Sequence, residues 1–379
     1  MRGQKQNLRV AVIGGSIGGL STGIALHCVG CDVYVFERSP HLLRGRGGGL
    51  VVQYEMLDWM AAHGIAALAT LSIPGVERQF LDRDGNVIRA FPDSTPFTSW
   101  DAVFHQLRTA FPDERYERGR ECVAITQTRN DVQVLFADGS KFEADLVIGA
   151  DGLGSAVRRQ LFPSVVPKYA GYVAWRGVYS EKYAPREVVE RLAQRFTMYQ
   201  GDDFHLLTYL IPGANGELAP GERRMNWVWY WNTNDDELRD VLTGEDGRKH
   251  RASLPPGMLQ KQHRDMLHRR AERHLPLLLA QLIRSTPEPF VQAIFDLRSA
   301  SMCDSRVALI GDSACVVRPH TASGTSKASG DAVSLAQHLQ AADFDVSEAL
   351  RHWEPERLAV AARLVAYGRR LAVSSGLGR

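Results

Sequence analysis

Residues 8–37 read LRVAVIGGSIGGLSTGIALHCVGCDVYVFE, and this stretch decides the fold. A short, largely apolar run over 8–13 is typical of a buried parallel strand. A glycine-rich turn over 14–19 leads into helical periodicity over 20–29, and 32–37 has the composition of a second strand. The pattern predicts a strand, a turn, a helix and a second strand, which is the opening unit of an α/β fold with a parallel sheet.

The turn over 14–19 has the spacing of a dinucleotide-binding loop. A first glycine permits the tight bend, a last glycine lets the helix pack closely on the strand, and the helix N-terminus presents N–H groups to a pyrophosphate. Ser16 replaces the usual middle glycine but keeps its backbone N–H. Glu37 follows about twenty residues later, at a strand end where it is placed to accept hydrogen bonds from a ribose. The candidate binding residues of the loop are Gly14, Gly15, Ser16, Ile17 and Gly19.

The same loop also matches G-x-S-x-G, the nucleophile elbow of a hydrolase, which would make Ser16 a catalytic nucleophile. That fold needs strands before the elbow to carry an oxyanion loop. Only thirteen residues precede this turn. The order of strand, turn, helix, strand and acidic residue therefore favours nucleotide binding over a hydrolase.

Two later segments end apolar strands in acidic turns. Residues 145–158 read DLVIGADGLGSAVR, which places Asp151 directly after a strand. Residues 306–331 read RVALIGDSACVVRPHTASGTSKASGD, which places Asp312 after another strand and ahead of a helix predicted over 323–338. Ligands of open α/β sheets bind beyond the carboxyl ends of the strands, where these carboxylates lie. Taken alone, each segment also fits a plain structural turn, with Asp151 as a helix cap.

In this order and approximate spacing, the three motifs resemble those of the single-component (group A) FAD-dependent aromatic hydroxylases. The resemblance covers residues 8–332, and 44–50 resemble the family's R-x-x-G-x-G-[IL] segment, which lies beside the flavin. It implies that FAD is bound by the loop residues and by Glu37, Arg38, Arg44, Leu50, Gln53, Val123, Asp151, Asp312, Gly324, Thr325 and Ser326. The departures from the family pattern are Ser16, Cys315 in place of a common His, Lys327 in place of a frequent Asn, and Trp100 where many members have an FAD-contacting Arg.

The resemblance implies a monooxygenase that reduces FAD with NADH or NADPH, forms a flavin hydroperoxide with O₂ and transfers one oxygen atom to an aromatic ring. The segments GGSIxGL, GYVxWRGV, HLxxYxIPG and RPHxAxGxxKAS are similar to those of members that act on hydroxylated N-heteroaromatic rings. A hydroxypyridine or phenol-like substrate is therefore expected. The alternatives are a related flavin hydroxylase of urate, hydroxynicotinate or salicylate, and a flavin- or nucleotide-binding protein without oxygenase activity.

The middle of the chain differs in composition from both ends. Residues 166–232 are rich in Tyr, Trp, Val and Thr between turn signals, which predicts an antiparallel sheet, while 258–284 and 347–371 are helical in pattern. We therefore predict an α/β fold (α+β overall), a Rossmann-like FAD-binding domain of the aromatic hydroxylase type with an inserted antiparallel-sheet substrate domain. The predicted FAD-binding domain comprises 1–75, 95–165 and 290–379, and the predicted substrate domain comprises 76–94 and 166–289.

Three residues are candidates for the chemistry. A base with a pKa near the working pH would deprotonate a ring hydroxyl and make the neighbouring carbon electron-rich, and His is the usual choice. Strand alternation places His205 and Tyr209 on one face of a predicted strand, so both could address one pocket. His320, beside the predicted flavin helix, is the competing candidate, and a structural histidine is the alternative for either position.

The alternation of Trp227, Trp229 and Trp231 places them on one strand face, where core packing and a pocket wall are both compatible with the pattern. His263, His268 and His274 do not share a helix face, so no metal site is expected.

Composition and charge exclude several classes of function. The net charge of +2 gives no field that would draw the protein to nucleic acid or to an anionic membrane. No apolar run approaches the roughly 20 residues needed to span a bilayer. The five cysteines have no framework spacing, which fits a reducing compartment. The expected partners are a small aromatic substrate, O₂ and a second copy in a homodimer, and the expected location is the cytoplasm.

Overall fold

A computed structural model describes residues 8–43, 45, 47–51 and 53–378. Its strands are β1 (Arg9–Ile13), β2 (Asp32–Glu37), β3 (Gly49–Val51), β4 (Ile73–Pro74), β5 (Glu77–Leu81), β6 (Val87–Pro92), β7 (Pro96–Ser99), β8 (Tyr116–Arg118), β9 (Cys122–Gln127), β10 (Val132–Phe136), β11 (Lys141–Ala144), β12 (Leu146–Gly149), β13 (Lys168–Ser180), β14 (Arg195–Gln200), β15 (Phe204–Ile211), β16 (Arg224–Asn232), β17 (Ser253–Leu254), β18 (Phe290–Arg298), β19 (Cys303–Asp304), β20 (Val307–Leu309) and β21 (Cys315–Val316).

The helices lie between and after these strands. They are α1 (Ile17–Cys28), α2 (Tyr54–Ala62), α3 (Leu68–Leu71), α4 (Trp100–Ala110), α5 (Ala156–Leu161), α6 (Arg186–Leu192), α7 (Asp235–Val241), α8 (Lys261–His274), α9 (Leu277–Arg284), α10 (Gly324–Ala341) and α11 (Val346–Ser374), with short 3₁₀ turns at Asp113–Arg115, Glu181–Tyr183, Gly311–Ser313 and Pro319–Thr321. None of the helices in the described residues is both long and apolar enough to cross a bilayer.

The first sheet has the strand order β19-β20-β12-β1-β2-β8, and every pair except β19 with β20 is parallel. The apolar residues of β1 are buried because α1, itself packed against α10, lies on one side and β11 of the small sheet β9–β11 lies on the other. Ile13 pairs with Gly149, and Gly149 pairs with Leu309. The carboxyl ends of β1, β12 and β20 therefore meet at one edge, which brings together the three sequence motifs that follow these strands.

The second large sheet has the order β17-β18-β13-β16-β15-β14-β5-β6, with β21 paired to β18. All its pairs are antiparallel except β14 with β5. One face packs on α8 and α9 and forms a separate hydrophobic core. The other face turns toward the first sheet, and the small sheet β3-β7-β4 packs beside it.

The fold class is as predicted, and the element boundaries show two differences. Helix α1 begins at Ile17, three residues earlier than the periodicity indicated, because Gly18 and Gly19 belong to its first turn. Residues 141–148, whose composition predicts one continuous strand, form two strands in two sheets. The break falls at Asp145, whose N–H donates to the Arg9 carbonyl while its carboxylate accepts the Arg9 N–H, so pairing with β1 starts there.

The predicted domain boundaries can be set beside this topology. Strands β5 and β6, within 76–94, belong to the antiparallel sheet. Strand β18, which a boundary at 290 assigns to the FAD-binding domain, pairs with β13 in that same sheet. The exact division of the chain stays a prediction.

Candidate active site

The glycine loop after β1 is shaped by backbone contacts. Gly14 has a φ of 108°, and a Cβ there would lie 2.5 Å from the carbonyl oxygen of Ala150. A Cβ on Gly19 would lie 1.7 Å from the carbonyl oxygen of Gly14. The first intrahelical bond of α1 runs from Leu20 N–H to the Ser16 carbonyl. The N–H groups of residues 17–19, Ile17 among them, are therefore left for an anionic ligand.

Glu37 is held rigidly beside this loop. Its carboxylate accepts a 2.9 Å hydrogen bond from Gly15 N–H and a 2.8 Å bond from Ser39 N–H, and the side chain is buried. A carboxylate oxygen has two acceptor sites, so each oxygen keeps one for a further donor. Glu37 lines a cavity of about 330 Å³ with Gly14 and Asp151, and the exposed Arg38 lies at its mouth.

Asp151 shows one satisfied and one orphaned oxygen. Its Oδ2 accepts from the N–H groups of Ala156 and Val157, at 2.6 and 3.3 Å, and so caps α5. Its Oδ1 is buried without a hydrogen-bond partner, and burial raises the pKa of the carboxyl. Buried acceptors are rarely left unpaired, so this oxygen, in the cavity wall, fits a hydroxyl donor of a bound cofactor.

Asp312 lies in the Gly311–Ser313 turn that follows β20, and its side chain is exposed. A Cβ on Gly311 would lie 3.1 Å from the Cβ of Ala328 in α10, and a Cβ on Gly18 in α1 would lie 3.3 Å from the same atom. The turn, the glycine loop and the start of α10 therefore converge. The half-buried residues Gly324, Thr325 and Ser326 form the first turn of α10.

Arg158, for which the sequence pattern predicts no role, ties two of these motifs together. The side chain is buried, and its guanidinium donates to the carbonyls of Ser313, at 2.9 Å, and Leu153, at 2.6 Å. The helix after Asp151 is thereby fixed to the turn of Asp312. An arginine in the first turn after an acidic strand end was the only signal in the sequence.

The other predicted FAD residues are more scattered. Leu50 is half-buried on β3, and Gln53 is the N-cap of α2. Val123 is 47% exposed on β9, next to Cys122, which lines the cavity. Arg44 lies outside the described residues.

A cluster of aromatic and polar side chains, here called the chamber, lies on the face of the large sheet that turns toward the first sheet. His205 and Tyr230 are cross-strand partners with ring centroids 4.8 Å apart. His320 reaches the same place from its turn, 5.1 Å from the His205 ring and 4.4 Å from the Tyr230 ring. Tyr172 shares a 2.9 Å hydrogen bond with Nε2 of His320. The structure therefore brings both candidate histidines together.

Both histidines are neutral at physiological pH. Burial lowers the pKa of His205 to about 4. Burial also lowers the pKa of His320 to about 3, with His205 and Arg318 adding to the effect. Nδ1 of His205 is buried and has no hydrogen-bond partner, whereas Nε2 of His320 is bonded to Tyr172. Nδ1 of His205 is thus left without a protein partner.

Tyr209 lies four residues along the same strand face, about 13 Å from His205 at the usual rise per residue. It stacks on Phe97 at 4.6 Å and on Phe196 at 5.6 Å, and burial raises the pKa of its hydroxyl. Its neighbour Asn226 accepts a 2.7 Å bond from Gly49 N–H and has an unpartnered Nδ2. Tyr209 and His205 therefore line different parts of the face, and Tyr209 is the one near β3.

Three further chamber residues were not foreseen from the sequence: Tyr172, Tyr230 and Asn226. Strand alternation next to His205 and Tyr209 would have found the last two, had the register of β15 and β16 been known. Of the two alternatives for the alternating tryptophans, the structure supports core packing over a pocket wall. Trp227 and Trp229 are fully buried on the helix-covered face, and the Trp227 indole donates to Thr286 at 2.8 Å.

Fold, cleft and chamber define an FAD-dependent aromatic hydroxylase, and comparison with known proteins shows that the chain belongs to that family. A family model described as "FAD binding domain-like" matches residues 169–296, and one described as "Pyridine nucleotide-disulphide oxidoreductase" matches 9–68. The chain is a flavoprotein monooxygenase that uses FAD with NADH or NADPH and acts on a small aromatic molecule with O₂. These comparisons confirm the family resemblance found in the sequence.

The similarity extends over nearly the whole chain. It is 36% identical to 2,6-dihydroxypyridine 3-monooxygenase of Paenarthrobacter nicotinovorans, over 92% of this chain and 87% of the relative. The solved structure of 2,6-dihydroxypyridine-3-hydroxylase from Arthrobacter nicotinovorans superposes with a TM-score of 0.92 at 34% identity, over 98% of this chain and 94% of that one. A 6-hydroxynicotinate 3-monooxygenase of Pseudomonas fluorescens is 27% identical, over 88% of this chain and 83% of the relative.

Proposed function

We propose that the protein hydroxylates a hydroxypyridine, or a closely related phenol-like ring, in the chamber. The observation that carries the proposal is the pair of neutral, buried histidines beside Tyr172 and Tyr230, on the sheet face that contacts β3. Such a wall can hold a flat aromatic ring and exchange protons with its hydroxyl groups. The whole-length similarity to 2,6-dihydroxypyridine 3-monooxygenase supports this substrate over salicylate.

A substrate panel tests the proposal. The purified holoenzyme is mixed with dihydroxypyridines, 6-hydroxynicotinate, urate, salicylate and simple phenols, and NADH and NADPH oxidation is followed while products are identified by mass. We expect a dihydroxypyridine to give the fastest oxidation and a product heavier by one oxygen atom. Hydroxylation of urate or salicylate alone would contradict the substrate, and a yellow protein that oxidises neither nicotinamide with any ring would contradict oxygenase activity.

We further propose that the predicted loop, Glu37, Asp151 and Asp312 hold FAD, with Arg38, Arg44, Leu50, Gln53, Val123 and the first turn of α10 around them. The orphaned Oδ1 of Asp151 and the spare acceptor sites of Glu37 support hydrogen bonds to cofactor hydroxyls. Bound FAD supplies the activation of O₂ and the transfer of one oxygen atom. We also propose that no metal ion takes part in the mechanism.

His205 is proposed as the base. Its open, neutral Nδ1 can accept the proton of a ring hydroxyl, and the resulting oxyanion would raise the pKa of the imidazole by direct charge pairing. His320, already bonded to Tyr172, would orient the ring, and Tyr209 would border the flavin side of the chamber.

Replacing His205 with Ala should slow hydroxylation by about 10²-fold or more, the usual contribution of a positioned base. FAD content should not change, and more of the consumed NADH should end as hydrogen peroxide. His263→Ala is the matched control, since His263 is equally buried in the same half of the molecule but bonds Asp240 away from the chamber. If His205→Ala hydroxylates as fast and as tightly coupled as wild type from pH 6 to 9, the base is His320 or absent.

Three broader proposals complete the picture. The two largest hydrophobic cores support a division into an FAD-binding and a substrate domain near the predicted boundaries, with the last boundary moved past β18. The described cysteines are unpaired, which supports a cytoplasmic location.

Exposed apolar side chains on the edge strand β6, Val87 and Ile88, support a homodimer, which sedimentation equilibrium would test. We propose no nucleic-acid or membrane partner.

A further inference from the structure

The turn that carries Asp312 is clamped by two side chains of α10. The N–H of Gly311 donates to Oδ2 of Asp331 at 3.0 Å, and the carbonyl of Gly311 accepts from Nζ of Lys327 at 3.2 Å. Lys327 and Asp331 lie one helical turn apart and pair with each other at 2.8 Å. Both backbone groups of one glycine are thus fixed by one i,i+4 pair.

This pair is completely withdrawn from water. The side chains of Lys327 and Asp331 are 1% and 0% exposed, and the second carboxylate oxygen of Asp331 accepts from Nε of Arg357 in α11 at 2.8 Å. A buried ion pair rarely adds net stability over apolar packing, because desolvation offsets the attraction. A role in stability alone is therefore a weak explanation for a buried lysine at this place.

The carbonyl that Lys327 holds belongs to the peptide bond joining Gly311 to Asp312. Gly311 has a φ of 56°, in the left-handed region, so the plane of that peptide is set by its contacts and not by an extended strand. The direction in which the Asp312 side chain leaves the turn follows from that plane. The surrounding protein and Asp331 raise the pKa of the Asp312 carboxyl, and the positive charge of Lys327 opposes that rise.

We propose that Lys327, with Asp331, is a positioning residue for Asp312, and that tight FAD binding depends on Lys327 through that carboxylate. The inference rests on the proposed role of Asp312 in holding FAD. It assigns a function to a lysine that stands where the family pattern frequently has Asn.

A double-mutant cycle on FAD retention tests the inference. Holoenzymes of wild type, Lys327→Met, Asp312→Ala and the double variant are diluted, and FAD dissociation is followed by the recovery of flavin fluorescence. Asp312→Ala and Lys327→Met should each weaken retention, by about ten- to a hundred-fold for the loss of a charged hydrogen bond. The double variant should be no weaker than Asp312→Ala alone, because Lys327 acts through Asp312.

Arg223→Met is the matched control. Arg223 pairs with Glu181 at 2.6 Å, with side chains 8% and 4% exposed, in the other half of the molecule. It should lose stability but keep wild-type FAD retention. If Lys327→Met does not fold, Lys327→Gln, which keeps a donor without the charge, takes its place in the cycle.

The outcomes separate the two levels of the proposal. Wild-type retention in Asp312→Ala removes the role of Asp312 and this inference with it. Weak retention in Asp312→Ala with wild-type retention in the Lys327 variant, additive effects in the double variant, or an equal loss in Arg223→Met would each overturn the inference alone. None of these results bears on the proposed substrate, which the substrate panel tests separately with the wild-type holoenzyme.

Discussion

In the FAD cleft, Glu37 receives hydrogen bonds from Gly15 and Ser39, both within 22 residues along the chain. In the chamber, His320 bonds Tyr172, 148 residues away. The first arrangement lies within one contiguous strand-turn-helix-strand unit and the residues that directly follow it. The second exists only once the three strands β13, β15 and β16 and the distant turn of His320 have assembled. Cofactor recognition is therefore a local property of this chain, and substrate recognition is a property of its tertiary structure.

The two regions also differ in how well their polar atoms are satisfied. In the cleft, most acceptors are fixed by backbone N–H groups, and Oδ1 of Asp151 is the orphan. On the chamber face, Nδ1 of His205, Nδ2 of Asn226 and Nε of Arg176 all lack partners. The cleft is rigid before its ligand binds, while the chamber keeps several groups ready for a polar ring.

Replacing Gly14 with Ala should abolish tight FAD binding by the glycine loop, which is the local of the two regions. The new Cβ would lie 2.5 Å from the Ala150 carbonyl at a φ of 108°. We expect FAD affinity to fall at least about 100-fold, measured as flavin content after gel filtration. Gly139→Ala is the control: its φ of 82° costs about 1–2 kcal/mol of strain, but the space around it is open. Full flavin content in Gly14→Ala would show that the loop adapts.

Acid should weaken the chamber through its histidines. The pKa of His205 is about 4 in the fold against about 6.5 unfolded, so between these values the unfolded chain binds more protons. The free energy of unfolding should therefore be flat above pH 6.5 and fall by roughly 3 kcal/mol from this residue toward pH 4. Urea unfolding with saturating FAD measures it, and His205→Gln should show a shallower fall. Parallel curves for the two proteins would refute a buried neutral His205.

Removing the carboxylate of Glu37 should loosen FAD without emptying the site. Glu37→Ala leaves the buried N–H groups of Gly15 and Ser39 without their acceptor and removes a charged acceptor for the cofactor. We expect FAD affinity to fall about ten- to a hundred-fold, together with a lower unfolding midpoint. Loss of stability with unchanged flavin affinity would make Glu37 a purely structural brace of the loop.

The smallest expected effect is that of a substitution at a buried polar atom that has no hydrogen-bond partner and lies away from the chamber. Thr208 is fully buried on the helix-covered face, and its Oγ1 has no partner. Thr208→Val should be neutral or stabilise the protein by about 1 kcal/mol, with hydroxylation unchanged. Its cross-strand neighbour Thr197, whose Oγ1 accepts from Gln79 at 2.8 Å, is the matched control, and Thr197→Val should destabilise. A slower hydroxylation in Thr208→Val would mean that the two faces are coupled.

The sequence was informative where chemistry and chain order coincide. The glycine loop and the strand ends that carry Asp151 and Asp312 were readable because their patterns are local in the sequence, and the antiparallel middle was readable from its composition and turn signals. The strand break at Asp145 was missed because its cause is a pair of bonds to Arg9. The partners of His205 were missed for the same reason, since they depend on the register of β15 with β16.

Helix α11 acts as a ruler within the molecule. Near its middle Arg357 reaches the clamp under Asp312, and near its end Arg369 lies 3.3 Å from Asp296 of β18 in the large sheet. Each residue added between these arginines would rotate the far end by about 100° and lengthen it by about 1.5 Å. This stretch can therefore vary by substitution at its exposed positions but not by insertion or deletion, and relatives that keep both contacts should keep twelve steps between them.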